Sequence, residues 1–166
     1  RSSAASDVYK RQEYVFIDTA GLRRKNKIKE DIERYSIIRA VTAVERADVV
    51  MIVIDATEGV TEQDAKIAGI AHERGKATII VVNKWDLVEK DDKTMARMTE
   101  EIRRDLAYMT YAPILFISAK TGQRVDKLFD MIDYVANQAG VKSDQVDRAI
   151  RQAIRKTASP ISNKEF

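Results

Sequence analysis

Four short apolar runs, each closed by a polar residue, set the architecture: Tyr14 to Asp18, Val49 to Asp55, Thr78 to Asn83 and Ile114 to Ser118. Their closing residues recur roughly every 30 to 40 positions, about the length of a βαβ unit. Residues apolar in succession, rather than alternately, describe strands buried on both faces. Joined by right-handed crossovers, such strands lie parallel and bring their polar ends to one edge. The pattern predicts an α/β fold with a mainly parallel sheet, whose carboxyl edge is where ligands bind.

The intervening stretches read as helices. Thr61-Glu62-Gln63-Asp64 has the form of a capping box and opens a helix ending near Gly75. Met95, Met98, Ile102, Leu106 and Met109 recur at helical spacing, as do Val125, Leu128, Phe129, Ile132 and Val135, and both stripes read as core. Asn137-Gln138-Ala139-Gly140 ends the last of these. A further helix is expected from Ser143, with an apolar face of Val146, Ala149, Ile150, Ala153 and Ile154, stopped by Pro160. It has no partner of its own, which places a domain boundary near residue 140.

The third run delivers Asn83-Lys84-Trp85-Asp86 to the ligand edge. A carboxylate there can accept two parallel hydrogen bonds from one planar base, and guanine offers that donor pair on N1 and N2 where adenine does not. The first run closes on Asp18-Thr19-Ala20-Gly21, in which an acidic residue can hold Mg²⁺ through water and a glycine admits a phosphate to its N–H. The fourth leads into Ser118-Ala119-Lys120. In this order, at successive strand ends, the three resemble the Asp-x-x-Gly, Asn-Lys-x-Asp and Ser-Ala-Lys motifs of GTPases. By that resemblance Asp86 reads the base, Lys84 lays its aliphatic stem over the ring and Asn83 ties neighbouring loops. Ser118, Ala119 and Lys120 approach the guanine O6, and Asp18, Thr19, Ala20 and Gly21 face the phosphates, Asp18 holding Mg²⁺ through water.

Longer stretches narrow the resemblance. Asp18 to Lys29, Glu33-Arg34-Tyr35-Ser36, Glu45 to Val50 and Val82 to Val88 resemble the second G domain of the Der (EngA) family of tandem-G-domain GTPases, over Glu13 to about Gln138. The resemblance implies a three-layer P-loop NTPase fold of the TRAFAC GTPase class, a partial G domain over 13–139 and the start of a KH-like domain over 140–166. It implies GTP and GDP as ligands, hydrolysis by in-line attack of water in the full-length parent, and a cytoplasmic monomer that assists assembly of the large ribosomal subunit.

Two departures qualify it. No Gly-x-x-x-x-Gly-Lys-Ser/Thr pattern occurs in the sequence, so the P-loop strand, first helix and second strand of the family would precede Glu13. The chain reads as truncated at its N-terminus, with the strands carrying Asp18 and Asp55 left unpaired on either side of a missing central strand. Such a chain is expected to be marginally stable or unfolded in isolation, and inactive. Leu22 stands where the best-known small GTPases carry glutamine, and it has no donor or acceptor with which to orient water. No catalytic residue is therefore assigned, and the resemblance implies either another group or a bound monovalent cation such as K⁺ in its place, the cation's ligands lying in the missing segment.

Residues 1–12 show neither apolar core nor periodicity, and Asp7-Val8-Tyr9-Lys10-Arg11-Gln12 resembles a translated sequencing adapter. A non-native or disordered tail is expected there. Cysteine is absent and His72 is the only histidine, which excludes disulfides, thiolate chemistry and multi-histidine metal sites and leaves a hard, oxygen-bound ion. The longest apolar run, Val49 to Ile54, is far short of the roughly 18 residues of a membrane helix. Net charge is +3, and Arg23, Arg24, Lys25, Lys27 and Lys29 crowd the loop after Gly21, as a surface for ribosomal RNA would require. Arg148, Arg151, Arg155 and Lys156 line the late segment, where a solvated face is the simpler expectation. A pseudo-GTPase or RNA-binding module would keep the same fold and basic loop without nucleotide; within the enzymes, an Era-like or tRNA-modification GTPase is the alternative.

Overall fold

The computed structural model describes residues 4–9, 12–18, 30–140 and 148–154, and the side chains of 14–17 and 37–140 among them. Among the described residues the strands are β1 (Ala4–Tyr9), β2 (Gln12–Asp18), β3 (Val49–Asp55), β4 (Ala77–Asn83), β5 (Ile114–Phe116) and β6 (Arg148–Ile154). The helices are α1 (Glu30–Arg46), α2 (Glu62–Glu73), α3 (Thr94–Asp105) and α4 (Val125–Gln138). The strands form one sheet in the order β1-β2-β6-β3-β4-β5. Of its strand pairs, only β1–β2 is antiparallel.

The unbroken apolar runs are explained by what covers them. Val50, Ile52 and Ile54 of β3 pack with Ala40 and Val44 of α1, Ile67 and Ala71 of α2 and Ile102 of α3. Val49, Met51 and Val53 face the other way, toward Leu128, Ile132 and Val135 of α4. Side chains alternate between faces along a strand, so a sheet with helices on both sides needs apolar residues at every position. Tyr14 on β2 is fully buried, packs edge-on to Phe129 at 5.3 Å and donates from its hydroxyl to Asp133 Oδ1 at 2.9 Å. The three-layer α/β architecture read from the sequence is the one observed.

Helix α2 starts where the capping box places it. The Thr61 N–H donates to Asp64 Oδ2 at 2.9 Å while the Asp64 N–H donates back to Thr61 Oγ1 at 3.3 Å. Thr61→Ala removes one arm and is expected to lower stability by about 1 kcal/mol, read as a shift of the urea midpoint at constant slope.

Two expectations are corrected. The late helix is not formed over Arg148–Ile154, which is instead β6, parallel to both β2 and β3. The strands that end in Asp18 and Asp55 are therefore not left facing a vacant place. Unpaired backbone donors and acceptors along two strand edges favour any extended segment that completes both ladders, and this outweighs helical spacing of the apolar residues. The N-terminal stretch likewise contains a strand: Ala4–Tyr9 pairs with the outer edge of β2 from Ala4 against Ile17 to Tyr9 against Gln12. Backbone pairing of this kind needs no apolar pattern, which is why no periodicity announced it.

Candidate functional site

Parallel pairing brings the ends of β2, β3 and β4 to one edge, where Asp55 and Asn83 are register partners. Beyond β4 the chain turns sharply. Lys84 takes the left-handed conformation, φ 65° and ψ 31°, and Trp85–Leu87 forms a 3₁₀ turn. A non-glycine residue in that region costs on the order of 1 kcal/mol, so its surroundings must hold it there.

They do so from both sides of the turn. The Trp85 N–H donates to Ile117 O at 3.1 Å, the Ala56 N–H donates to Asn83 O at 2.9 Å, and the Trp85 ring is buried against Phe116, centroid to centroid 4.7 Å. Lys90 closes the far end, its ammonium donating to Trp85 O at 2.6 Å and to Val88 O at 2.9 Å.

The side chains of the motif then point to three different partners. Asn83 Oδ1 accepts the Ala119 N–H at 3.0 Å, tying the loop after β4 to the loop after β5. Ser118, fully buried, donates its hydroxyl to Asp86 Oδ1 at 2.6 Å and accepts the Thr121 N–H at 3.2 Å. The hydroxyl proton is thereby committed to the carboxylate, which stays half-exposed at the edge. Lys84 reaches back to Asp55, Nζ to Oδ2 2.8 Å. Ala119 and Lys120 are exposed beside this cluster.

Asp55 is the residue that motif reading missed, although it closes the second apolar run. It is buried, and its Oδ1 accepts both the N–H and the hydroxyl of Thr57, at 2.9 and 2.6 Å. Its Oδ2 meets the Lys84 ammonium at ion-pair distance, at angles short of a hydrogen bond, and has no hydrogen-bond partner. Burial alone would raise the pKa of such a group, but Lys84 and the two Thr57 donors outweigh it and hold the carboxyl below its ordinary value. Asp55 is thus an anion in the fold. The only signal for it in the sequence was a polar residue closing an apolar run.

The remaining sequence candidates are placed only in part. The backbone of Asp18 ends β2 on the same edge. Its side chain, Thr19, Ala20, Gly21, Leu22 and the basic residues Arg23, Arg24, Lys25, Lys27 and Lys29 lie outside the described residues. So do 141–147, which follow the boundary expected near residue 140, and 155–166. Among the described residues no cluster of His, Cys, Asp and Glu could enclose a metal ion, and no helix is long and apolar enough to cross a membrane.

A concavity of about 490 Å³ opens at the other end of β4, lined by His72, Lys76, Thr78, Tyr111, Tyr134 and Gln138 among others. The Lys76 ammonium is committed to the carbonyls of Glu45 and Ala47, at 2.7 and 3.1 Å, and no described residue of the three motifs lines this concavity.

Comparison with known proteins shows the family. Residues 1–138 match the family of the elongation factor Tu GTP binding domain. GTPase Der of Agathobacter rectalis is 64% identical over 154 residues, covering 92% of this chain and 35% of that protein, and GTPase Der of Lachnospira eligens is 67% identical over 78% of this chain and 29% of its own length. The chain spans about a third of the length of these relatives. Among solved structures, a single-residue variant of Aquifex aeolicus Era bound to GDP·AlF4⁻ superposes with a TM-score of 0.64 at 26% identity, over 80% of this chain and 44% of that one. The chain belongs to the elongation factor Tu GTP-binding domain family and, within it, to the G domains of the Der type.

Proposed function

We propose that the described edge recognises the guanine base of GTP and GDP. The observation that carries this reading is the Asp86 carboxylate, oriented from beneath by the buried Ser118 hydroxyl at 2.6 Å. An acceptor-only group fixed in this way matches the N1 and N2 donors of guanine and meets no such pair on adenine. Lys84 supplies an apolar stem for one face of the ring, and the Asn83–Ala119 bond holds the loop that brings Ser118, Ala119 and Lys120 toward O6.

Asp18, Thr19, Ala20 and Gly21 would meet the phosphates. A carboxylate at the end of β2 suits Mg²⁺, which takes few protein ligands, keeps several waters and draws the rest of its shell from phosphate oxygens. The ion, when bound, neutralises phosphate charge. No residue of this sequence is assigned to K⁺. In the longer proteins to which this segment corresponds, hydrolysis of GTP to GDP and phosphate is the proposed activity. The basic residues Arg23, Arg24, Lys25, Lys27 and Lys29 would dock on RNA of the large ribosomal subunit, in the cytoplasm. The relationship to Era supports the nucleotide half of this reading.

The test is an amide-resonance titration of this chain with GDP, guanosine and adenosine in Mg²⁺. GDP and guanosine are expected to shift Asn83 to Asp86 and Ser118 to Lys120 with half-saturation on the order of 1 mM, as suits base contacts alone. Equal shifts with adenosine, or none with GDP, would overturn the reading.

A further inference from the structure

The lysine of the guanine motif is anchored by a residue that belongs to none of the motifs. Asp55 ends β3 opposite Asn83 and its carboxylate is divided between two tasks. Oδ1 is held by the two donors of Thr57. Oδ2 has the Lys84 ammonium at 2.8 Å. Thr57 therefore fixes the plane of the carboxylate, and the carboxylate fixes the end of the lysine.

That end matters because a lysine is a poor surface when it is free. Its stem has four rotatable bonds, and ordering it on ligand arrival is charged against affinity. Here the ordering precedes the ligand. The backbone at Lys84 is left-handed, and its side chain, three-quarters covered, reaches Asp55 at the end of β3. Asp86 leaves the same turn toward Ser118.

We infer that Asp55 is a positioning residue for base recognition: by holding the Lys84 ammonium at the end of β3, it stretches the aliphatic stem across the edge as a preformed floor for the guanine ring. The inference rests on the guanine reading above and deepens it. It separates Asp55 from a residue that merely stabilises the sheet, because its effect on binding must pass through Lys84.

The experiment is a double-mutant cycle on this chain, with GDP as the probe and amide titration as the readout. Asp55→Asn keeps an acceptor for Thr57 and the side-chain shape but removes the charge. Lys84→Met keeps an apolar stem but removes the ammonium. Each single change is expected to raise the dissociation constant for GDP about fivefold. The double variant is expected to be no weaker than either single one, with the same ratios for guanosine, which carries no phosphate. Losses that multiply to about 25-fold would show independent roles and overturn the inference. If Asp55→Asn loses amide dispersion and does not fold, Lys84→Arg against Lys84→Met decides without touching Asp55. Arginine, which can still reach the carboxylate, is expected to stay within about twofold of the unsubstituted chain, and equal affinities for the two variants would overturn the anchoring role. An unsubstituted chain that binds no GDP would sink the guanine reading and this inference with it.

Discussion

Asp86→Asn is expected to abolish the response to GDP and to create one to xanthosine diphosphate. Guanine presents two donors to the carboxylate, each charge-assisted bond contributing about 1.5–3 kcal/mol. An asparagine side chain keeps one acceptor and turns the other atom into a donor, which meets the N2 group of guanine donor to donor. The loss should be on the order of a hundredfold or more, beyond the range of the titration. Xanthine carries a carbonyl at C2, and the asparagine amide can donate to it while its oxygen accepts from N1. Ser118 decides which atom is which, because its hydroxyl already donates to Oδ1 and its oxygen already takes the Thr121 N–H. A variant that still preferred GDP would show that Asp86 does not read the base.

The second large effect concerns stability. Trp85 is buried at 3% exposure, packed against Phe116 at 4.7 Å and under the Lys90 ammonium at 5.1 Å. Trp85→Ala should cost about 3–5 kcal/mol, measured by urea unfolding. That is a large fraction of a small domain's net stability, about 5–15 kcal/mol. Lys90→Met, which removes the two carbonyl contacts and the charge over the ring, serves as a milder control. A loss below about 1 kcal/mol for Trp85→Ala would mean that the turn closes without its ring.

The contrast between what the sequence disclosed and what it withheld follows from the range of the interactions concerned. Val49–Asp55 and the box at Thr61–Asp64 were legible because a run of apolar residues and a reciprocal cap are local statements. Asn83, Lys84, Asp86 and Ser118 were legible as a set, since each stands at the end of such a run. Asp55 was legible as a strand end but not as a partner of Lys84, because that pairing depends on the neighbourhood of β3 and β4 and on a left-handed turn at a lysine, neither of which has a residue signature. Arg148–Ile154 was misread for a different reason. Ala149, Ile150, Ala153 and Ile154 satisfy a helical stripe, and only the presence of two strands with open backbone groups makes the extended form the better one. The N-terminal strand Ala4–Tyr9 carries no local signal at all and is defined by its neighbour.

The two apolar faces of β3 and β4 carry one more implication. In a sheet with one wet side, sliding a strand by a single residue exchanges inside for outside and is forbidden by hydrophobicity alone. Here both sides are dry, so a slipped β3 would still bury valine and isoleucine on either face. The polar ends, not the greasy middles, are what fix the alignment: Asp55 must meet Lys84, Ala56 must find the carbonyl of Asn83, and Trp85 must find that of Ile117. The residues proposed to read a base thus also act as the detents of the sheet. Alignment of the strands and assembly of the pocket become a single event, and a chain threaded one notch off has no partly working edge to fall back on.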